Sequence, residues 1–210
     1  MRVYRTGVLL MVLLLAAGCT TTRRSTRQMI ETSPFLGSYR GFVHGPASAL
    51  VYKAPGVRFE QYTSVVVQPL TVFFLENSGY KGVHSQAVST LSEMYRESAE
   101  RIMAEEFHVV SKYEPGTLIV RAGLRGLQPT PAGNAPFHFS RTIMEYEIVD
   151  PLGGRLLAVV YRPLGHEPPR DGPWGRAESA VNYWNRLLTT QLISIGVSRR
   201  SKLPPLQRTR

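Results

Sequence analysis

The first nineteen residues constrain this chain most strongly, because they determine the compartment in which the rest must fold. Arg2 and Arg5 give a basic start, and residues 8–17 form an unbroken apolar run. A basic start followed by a short apolar run is typical of a secretory signal peptide. The run has about half of the roughly 20 apolar residues that a helix needs to cross a bilayer. The segment is therefore predicted to be a removable signal and not a permanent membrane span.

The end of this segment has the form of a lipidation site. Ala16, Ala17 and Gly18 place small side chains before Cys19, the only cysteine of the chain. Small residues leave the backbone accessible to a signal peptidase, and a cysteine in this place is the acceptor of lipid in bacterial lipoproteins. The sequence predicts a lipoprotein signal peptide over residues 1–18, cleavage between Gly18 and Cys19, and acyl chains such as palmitate on Cys19. Two other interpretations are an ordinary cleaved signal peptide and an uncleaved anchor.

The composition of the exported part narrows its fold and its partners. About 190 residues remain after the signal, enough for one domain with its own core. Because the chain has a single cysteine, no intramolecular disulfide can form in the oxidising envelope, and packing must hold the fold. The formal net charge is +10 for the whole chain and +8 without Arg2 and Arg5 of the signal, which favours an anionic partner or surface. Export argues against nucleic acid as that partner.

A polar stretch precedes the predicted domain. Residues 19–38 are rich in Thr, Ser and Arg and are predicted to be a flexible tether, followed by one domain over residues 39–197. The arginines of the tether would either contact an anionic leaflet or be solvated. Thr20 follows the acceptor cysteine. By resemblance to lipoproteins of enteric-type bacteria, the absence of Asp there favours the outer membrane, with the domain on its periplasmic face.

A second basic stretch ends the chain. Residues 198–210 combine prolines with basic side chains and are predicted to be a disordered tail. Such a tail is either solvated or in contact with an anionic partner. The candidate contacts are Arg199, Arg200, Lys202, Arg208 and Arg210.

Apolar residues recur at helical spacing in two segments. Over residues 84–106 they lie opposite a charged face that includes Glu97 and Arg101, four residues apart. Over residues 174–195 the apolar stripe includes Trp184, and both tryptophans of the chain belong to this segment. The spacing predicts two amphipathic helices that pack on a sheet.

Other segments have the patterns of strands. Residues 62–75 contain a run of valines that is typical of a strand covered on both faces, and Pro69 is predicted to bend this strand or to place it near an edge. Residues 117–127, 141–149 and 155–162 alternate between apolar and polar side chains. The turn residues between the last two segments predict a hairpin.

These elements predict an α+β fold. We expect a single domain with a mostly antiparallel sheet of about four to five strands, in the order β-α-β-β-β-β-α, and two amphipathic helices packed on it. If residues 117–127 lie beside residues 141–149, then Arg121 and Arg125 would face Glu145 and Glu147 across the sheet. A short strand is expected at Val109, and residues 34–52 are expected to be an extended lead-in.

Several stretches form a recognisable set: the lipidation motif, the Phe35-Leu36-Gly37 lead-in, the strand over residues 62–69, the hairpin over residues 148–158, and the helix around Trp184. As a set they resemble domain of unknown function 3313, a family of bacterial lipoproteins. The resemblance covers most of the mature chain. It implies an envelope location and the overall architecture, and it implies no activity.

No group of residues predicts catalysis or metal binding. The two aspartates, Asp150 and Asp171, stand in turn contexts. The histidines at positions 44, 84, 108, 138 and 166 lack the close spacing of metal ligands. His138, which precedes Glu145 and Glu147, is the best candidate for acid and base chemistry. The sequence therefore predicts no cofactor, no metal site and no catalytic residue.

The leading hypothesis is a noncatalytic lipoprotein that binds an envelope protein or peptidoglycan, or that serves as a structural component of the cell envelope. The lipid anchor, the tether and the basic composition support it. The first alternative is an envelope hydrolase or transferase with a dispersed site in the loops 126–139 and 163–173, in which His138 or His166 would act with a carboxylate. A second alternative is ligand transport, in which the aromatic side chains would line a cavity.

Overall fold

The computed structural model divides the chain into two compact units, residues 1–40 and residues 41–210. The residues that the structure describes are 32–74, 85–130, 136–139, 141–152, 154–162 and 174–199. The predicted signal peptide and Cys19 lie outside these ranges, as do the loop 163–173 and residues 200–210.

The described part of the first unit is a short antiparallel pair. Strands β1 (Thr32–Ser33) and β2 (Gly37–Ser38) pair with Thr32 opposite Ser38. The hydroxyl of Ser33 accepts the backbone N–H groups of Phe35 and Leu36, each at 3.0 Å. The C-terminal part of the predicted tether thus contains a hydrogen-bonded turn. The predicted segment boundaries after residues 18, 38 and 197 stay predictions.

The second unit contains both predicted helices. Helix α1 (Ser85–Met103) and helix α2 (Gly175–Ser194) match the segments 84–106 and 174–195 to within three residues at α1 and one at α2. Each buries the apolar stripe expected from its spacing, through Leu91 and Tyr95 in α1 and through Trp184 in α2. Within the described residues, neither helix is both long enough and apolar enough to cross a membrane.

The strands of the second unit form one mixed sheet. They are β3 (Val43–His44), β4 (Leu50–Lys53), β5 (Ser64–Phe74), β6 (His108–Val109), β7 (Thr117–Pro129), β8 (Phe137–His138), β9 (Ile143–Val149) and β10 (Arg155–Tyr161). The order across the sheet is β3-β4-β10-β9-β7-β5-β6, and β8 pairs with the end of β7. β5 runs parallel to β6 and β7, whereas the other neighbours are antiparallel.

The predicted α+β class and the predicted hairpin of β9 and β10 are confirmed. The sheet is larger than expected, because eight strands take part where four to five were predicted. β4 includes residues 50–52 of the expected lead-in, and its Val51 pairs with Val159 of β10. β3, β6 and β8 have two residues each, which is too short for an alternation pattern to be detected.

Pro69 lies in β5 beyond the residues that pair with β6, Ser64 and Val65, which agrees with the predicted place near a sheet edge. The register between β5 and β7 shifts between Val67 and Leu70, which marks an irregularity at the proline. The backbone N–H of Leu70 donates to the hydroxyl of Ser92 in α1, at 3.2 Å. A helical side chain therefore satisfies the strand backbone where pairing is interrupted.

The core lies between the sheet and the two helices. Leu118, Val120 and Leu124 of β7 belong to one buried cluster with Tyr146 of β9 and Trp184 of α2. We call this side of the sheet the helix-covered face. The opposite side of β7 and β9, which carries the alternate residues, is called the second face.

Candidate functional site

The second face carries a row of ion pairs. Arg125 Nε lies 2.8 Å from Glu145 Oε1, Arg155 Nε lies 2.6 Å from Glu147 Oε1, and Arg121 Nη1 lies 3.5 Å from Glu147 Oε2. The register places Arg121 directly opposite Glu147, which confirms the expected charge complementarity between β7 and β9. Both glutamates are therefore engaged by arginines of the sheet itself.

This engagement bears on the predicted acid and base site. His138 lies in β8, where it pairs with Gln128 and is exposed to solvent. The two carboxylates that were its candidate partners, Glu145 and Glu147, are held in ion pairs on the second face. His166 and the loop 163–173 lie outside the described residues, so the dispersed site stays a prediction. Among the described residues, no three His, Cys, Asp or Glu side chains are grouped to hold a metal.

A chain of hydrogen bonds links the helix-covered face to both helices. Tyr146 donates its hydroxyl proton to Asn185 Oδ1 at 2.7 Å, and Asn185 Nδ2 donates to Ser98 Oγ at 3.0 Å. Ser98 in turn donates to Asn182 Oδ1 at 2.7 Å, and Arg101 donates to the same oxygen at 2.8 Å. This series of hydrogen bonds fixes α1 against α2 and connects both helices to the centre of the sheet.

Burial raises the pKa of three tyrosines in or near this series of hydrogen bonds. Desolvation raises the pKa of Tyr95, Tyr146 and Tyr161 above the ordinary phenol value, and the neighbouring tyrosines add to the rise at Tyr146. The Tyr146 ring lies 6.4 Å from that of Tyr95 and 6.1 Å from that of Tyr161. Among the described residues, no partner accepts a hydrogen bond from Tyr95 Oη or from Trp184 Nε1. The raised pKa values keep these phenols neutral at neutral pH.

The best candidate for a binding site is an open cleft of about 600 Å³ at one end of the sheet. Three segments line it: Gln61 and Tyr62 before β5, the loop 113–116 between β6 and β7, and the turn 150–152 between β9 and β10. None of these segments was predicted to form a site. They meet because β5, β7 and β9 are neighbours in the sheet, and so the start of β5 and β7 lies beside the end of β9.

Backbone hydrogen bonds hold the loop 113–116 against the start of β5. Gly116 accepts the N–H of Thr63 at 3.0 Å, and the Thr117 hydroxyl lies 3.0 Å from that of Ser64. Gly116 has a φ of 80°, and a side chain there would approach the Gln61 carbonyl oxygen to 3.2 Å. Glycine therefore allows both the turn and the close contact with the opposite wall.

The turn on the other side of the cleft is also defined by hydrogen bonds. Asp150 Oδ1 accepts the N–H of Gly154 at 3.2 Å, and the Asp150 N–H donates to the Gly154 carbonyl at 3.3 Å. The prediction that Asp150 is a turn residue is confirmed, while Asp171 lies outside the described residues. The turn presents Leu152 to solvent, with 96% of the residue exposed.

The chemistry of the cleft is that of a binding surface. The large hydrophobic residues exposed within the described ranges are Val43, Tyr113 and Leu152, and two of the three line the cleft. The Tyr113 hydroxyl accepts a hydrogen bond from Gln68 Nε2 at 2.9 Å, which limits the orientations of its ring. The described residues that line the cleft include the carboxylates Glu114 and Asp150 and no cation. Exposed apolar groups flanked by acidic groups favour a ligand that is apolar and basic.

The C-terminal end of α2 reaches the same region. Gly196 has a φ of 96°, and the backbone N–H of Val197 donates to the Leu192 carbonyl at 3.1 Å, which ends the helix. Ser198 then donates its N–H to the Tyr62 carbonyl at 3.1 Å and its hydroxyl to the Glu60 carbonyl at 2.7 Å. The last described residues therefore lie beside Tyr62, which lines the cleft.

Of the predicted contacts in the basic tail, the structure describes only Arg199. Its Nε lies 3.5 Å from Glu106 Oε2, within the same chain. Arg200, Lys202, Arg208 and Arg210 lie outside the described residues, as does Cys19. The predictions of lipidation and of an anionic partner for the tail stay predictions.

The comparison with known proteins identifies the family. The model for a protein of unknown function, DUF3313, matches residues 31–188, which is most of the chain. The chain belongs to the DUF3313 family. The resemblance noted in the sequence is thereby confirmed, and the family description gives no activity. No functionally curated protein matches the chain in sequence.

Among solved structures, the chain is similar to PelC from Paraburkholderia phytofirmans. A structure described as a PelC dodecamer has 6% sequence identity and a TM-score of 0.38, with 72% of this chain and 98% of that chain covered. A point variant of the same dodecamer has 10% identity and a TM-score of 0.36, with 72% of this chain and 99% of that chain covered.

Proposed function

We propose that this DUF3313 protein is a lipid-anchored, noncatalytic component of the bacterial cell envelope that binds an extended segment of an envelope protein. Cys19 would carry the anchor, and the domain would lie on the periplasmic face of the outer membrane. The observation that carries the binding role is the cleft in which the exposed Tyr113 and Leu152 stand beside two carboxylates.

The composition of the cleft selects the type of ligand. Exposed tyrosine is favoured at protein interfaces because its ring gives a large contact area at a low cost in conformational entropy. Full burial of an exposed leucine side chain such as Leu152 contributes roughly 1.5–3 kcal/mol. Glu114 and Asp150 would orient basic side chains of the ligand. An extended peptide with apolar and basic residues provides both kinds of group.

The sequence supports the anchor. Each methylene of an acyl chain on Cys19 would contribute roughly 0.8 kcal/mol when buried in the membrane, so two or three chains hold the protein firmly. The anchor keeps the domain at the membrane surface and raises its effective concentration towards other envelope proteins.

Metabolic labelling tests the anchor and its location. We expect the full chain, expressed in an enteric-type bacterium, to incorporate an alkyne analogue of palmitate, and the Cys19→Ala variant to incorporate none. Thr20→Asp should move the labelled protein from the outer-membrane to the inner-membrane fraction, whereas Thr21→Asp serves as the matched control. Absence of label on the unchanged chain would overturn the anchor.

Site-specific photo-cross-linking tests the binding role. With benzoylphenylalanine at position 152, we expect light to link the anchored protein to one envelope protein in living cells. The same group at position 43 is the control, because Val43 is also an exposed hydrophobic residue but does not line the cleft. Cross-linking to peptidoglycan would mean that the ligand is a glycan and not a peptide. Equal products at both positions would remove the cleft as the site.

A further inference from the structure

The last described residues lie next to the cleft, and the sequence that follows them is opposite in charge to the cleft. Ser198 is hydrogen-bonded to Tyr62, which lines the cleft. Arg199 lies beside Glu106, just before β6, which leads into the loop 113–116. Residues 200–210 follow directly in the sequence. The segment that continues from Arg199 therefore begins next to the cleft wall.

The sequence of residues 200–210 has the chemistry that the cleft requires. It contains four basic side chains and no acidic one, and its centre is Leu203-Pro204-Pro205-Leu206. Consecutive prolines favour the polyproline II conformation, which is extended and has no internal hydrogen bonds. Segments of this kind bind grooves lined by aromatic side chains, because little conformational entropy is lost on binding. Basic residues on both sides of the apolar centre would approach the carboxylates.

We propose that residues 200–210 of the same chain occupy this cleft and thereby compete with the external ligand. The inference rests on the proposed function, since it treats the cleft as a peptide-binding site and adds its regulation. Leu203 and Leu206 contact Tyr113 and Leu152, and the basic side chains neutralise Glu114 and Asp150. The anionic partner predicted for the basic tail is then the protein's own acidic cleft.

The length of the segment permits this arrangement. At about 3.1 Å per residue in polyproline II, the five residue steps from Ser198 to Leu203 span roughly 15 Å. A cleft of 600 Å³ beside Tyr62 lies within that reach. Because the segment is attached next to the site, its effective concentration is of the order of millimolar. An external ligand must bind the cleft strongly enough to compete with residues 200–210, or must displace them with help from a second contact.

A peptide-binding experiment tests the competition. The lipid-anchored full chain and a version that ends at Arg199 are purified in detergent, and each is titrated against a fluorescent peptide of residues 200–210. Ending at Arg199 preserves the Ser198 hydrogen bonds and the Arg199–Glu106 pair. We expect the shortened chain to bind the peptide saturably and the full chain to bind at least about tenfold more weakly. A peptide of the same composition in scrambled order is the control ligand.

Surface variants locate the site. In the shortened chain, Leu152→Ser should weaken peptide binding about fivefold or more, and Val43→Ser should leave it unchanged. Glu114→Gln should also weaken binding and should reduce its dependence on salt concentration. Equal binding by full and shortened chains, or equal effects of the variants at positions 43 and 152, would overturn the proposal.

Cross-linking in the intact chain provides a readout that needs no truncation. Benzoylphenylalanine at position 152 should link to the tryptic peptide 203–208 of the same molecule, without a change in mass of the intact protein. A product of doubled mass would mean that the tail occupies the cleft of a second copy, and no link to this peptide would mean that the tail lies elsewhere. Either result overturns occupancy within one chain.

The two proposals can fail separately. If the tail is absent from the cleft but position 152 still links to an envelope protein in cells, the tail proposal alone is lost. If the tail occupies the cleft but the chain shortened at Arg199 links to no envelope protein, external binding is lost and occupancy by the tail remains.

Discussion

The helix-covered face and the second face of the sheet both contain buried polar groups, but they satisfy them differently. On the helix-covered face the hydroxyl of Tyr146 is paired with Asn185 in a chain of mostly neutral hydrogen bonds. On the second face Glu145 is wholly buried and lies beside Arg125. A neutral group that loses its partner costs its desolvation, whereas an ion that loses its partner leaves a buried charge and costs more. The stability of the fold therefore depends on a neutral pair at the helix-covered face and on an ion pair at the second face.

The largest effect is expected at the buried ion pair. Arg125→Met should lower the free energy of unfolding by about 3–5 kcal/mol, because the buried Glu145 loses its ion pair with Arg125. Adding Glu145→Leu should recover most of this loss, since two apolar side chains replace both charges. Urea denaturation of the three proteins measures both values.

Arg121→Met is the matched control for this prediction. Arg121 has 42% of its side chain exposed, and its partner Glu147 retains Arg155. We expect a loss below about 1 kcal/mol. Equal losses at positions 121 and 125 would mean that burial does not distinguish the two pairs.

A smaller effect is expected on the helix-covered face. Asn185→Leu should lower the free energy of unfolding by about 2–3 kcal/mol, because the hydroxyl of Tyr146 loses its acceptor in the core. Tyr146→Phe added to this variant should restore part of the loss by removing that hydroxyl. Asn182 lies at the partly exposed end of this hydrogen-bond series, and Asn182→Ala should lower the free energy of unfolding by only about 1 kcal/mol. If Asn182→Ala cost as much as Asn185→Leu, burial would not govern the network.

The response to alkaline pH separates the two faces further. Burial raises the pKa values of Tyr95, Tyr146 and Tyr161, so the unfolded chain ionises these phenols near pH 10 while the folded chain keeps them neutral. Their contribution to stability is present in full below pH 10 and is lost as the pH rises towards the pKa values of the folded protein. Each group removes up to about 1.4 kcal/mol per pH unit in that range.

Unfolding measurements between pH 8 and 11 test this dependence. Tyr146→Phe should reduce the slope above pH 10, and Tyr113→Phe, at an exposed position, should leave it unchanged. An identical slope in both variants would show that the buried phenols do not cause the loss.

The sequence predicted the local elements well because their signals are periodic. α1 and α2 follow the 3.6-residue spacing of their apolar stripes, and the middle parts of β7 and β9 follow a two-residue alternation. The charge complementarity of β7 and β9 was expected on the condition that the two strands were neighbours, and their pairing meets that condition. In contrast, β4 appeared as a lead-in because its partner β10 is about a hundred residues away in the sequence.

The candidate site was not predicted, and its signals were weak. Leu152 is a large apolar residue inside a turn of Asp, Pro and Gly, and Tyr113 stands between charged residues in another turn. Either could have indicated an exposed contact residue. Neither residue predicted that the other lies nearby, because a local sequence pattern does not show which turns meet at one end of a sheet.

By itself, the sequence determined the two helices and the alternating strands, since each depends on residues close together along the chain. Only the tertiary structure decided that eight strands form one sheet, that Glu145 is buried beside Arg125, and that Tyr62, Tyr113 and Leu152 line one cleft. These features depend on strand order, which is set by packing between distant segments. The ion pairs of the second face connect the sequence with the tertiary structure, because their complementary charges come into contact only when the strands pair.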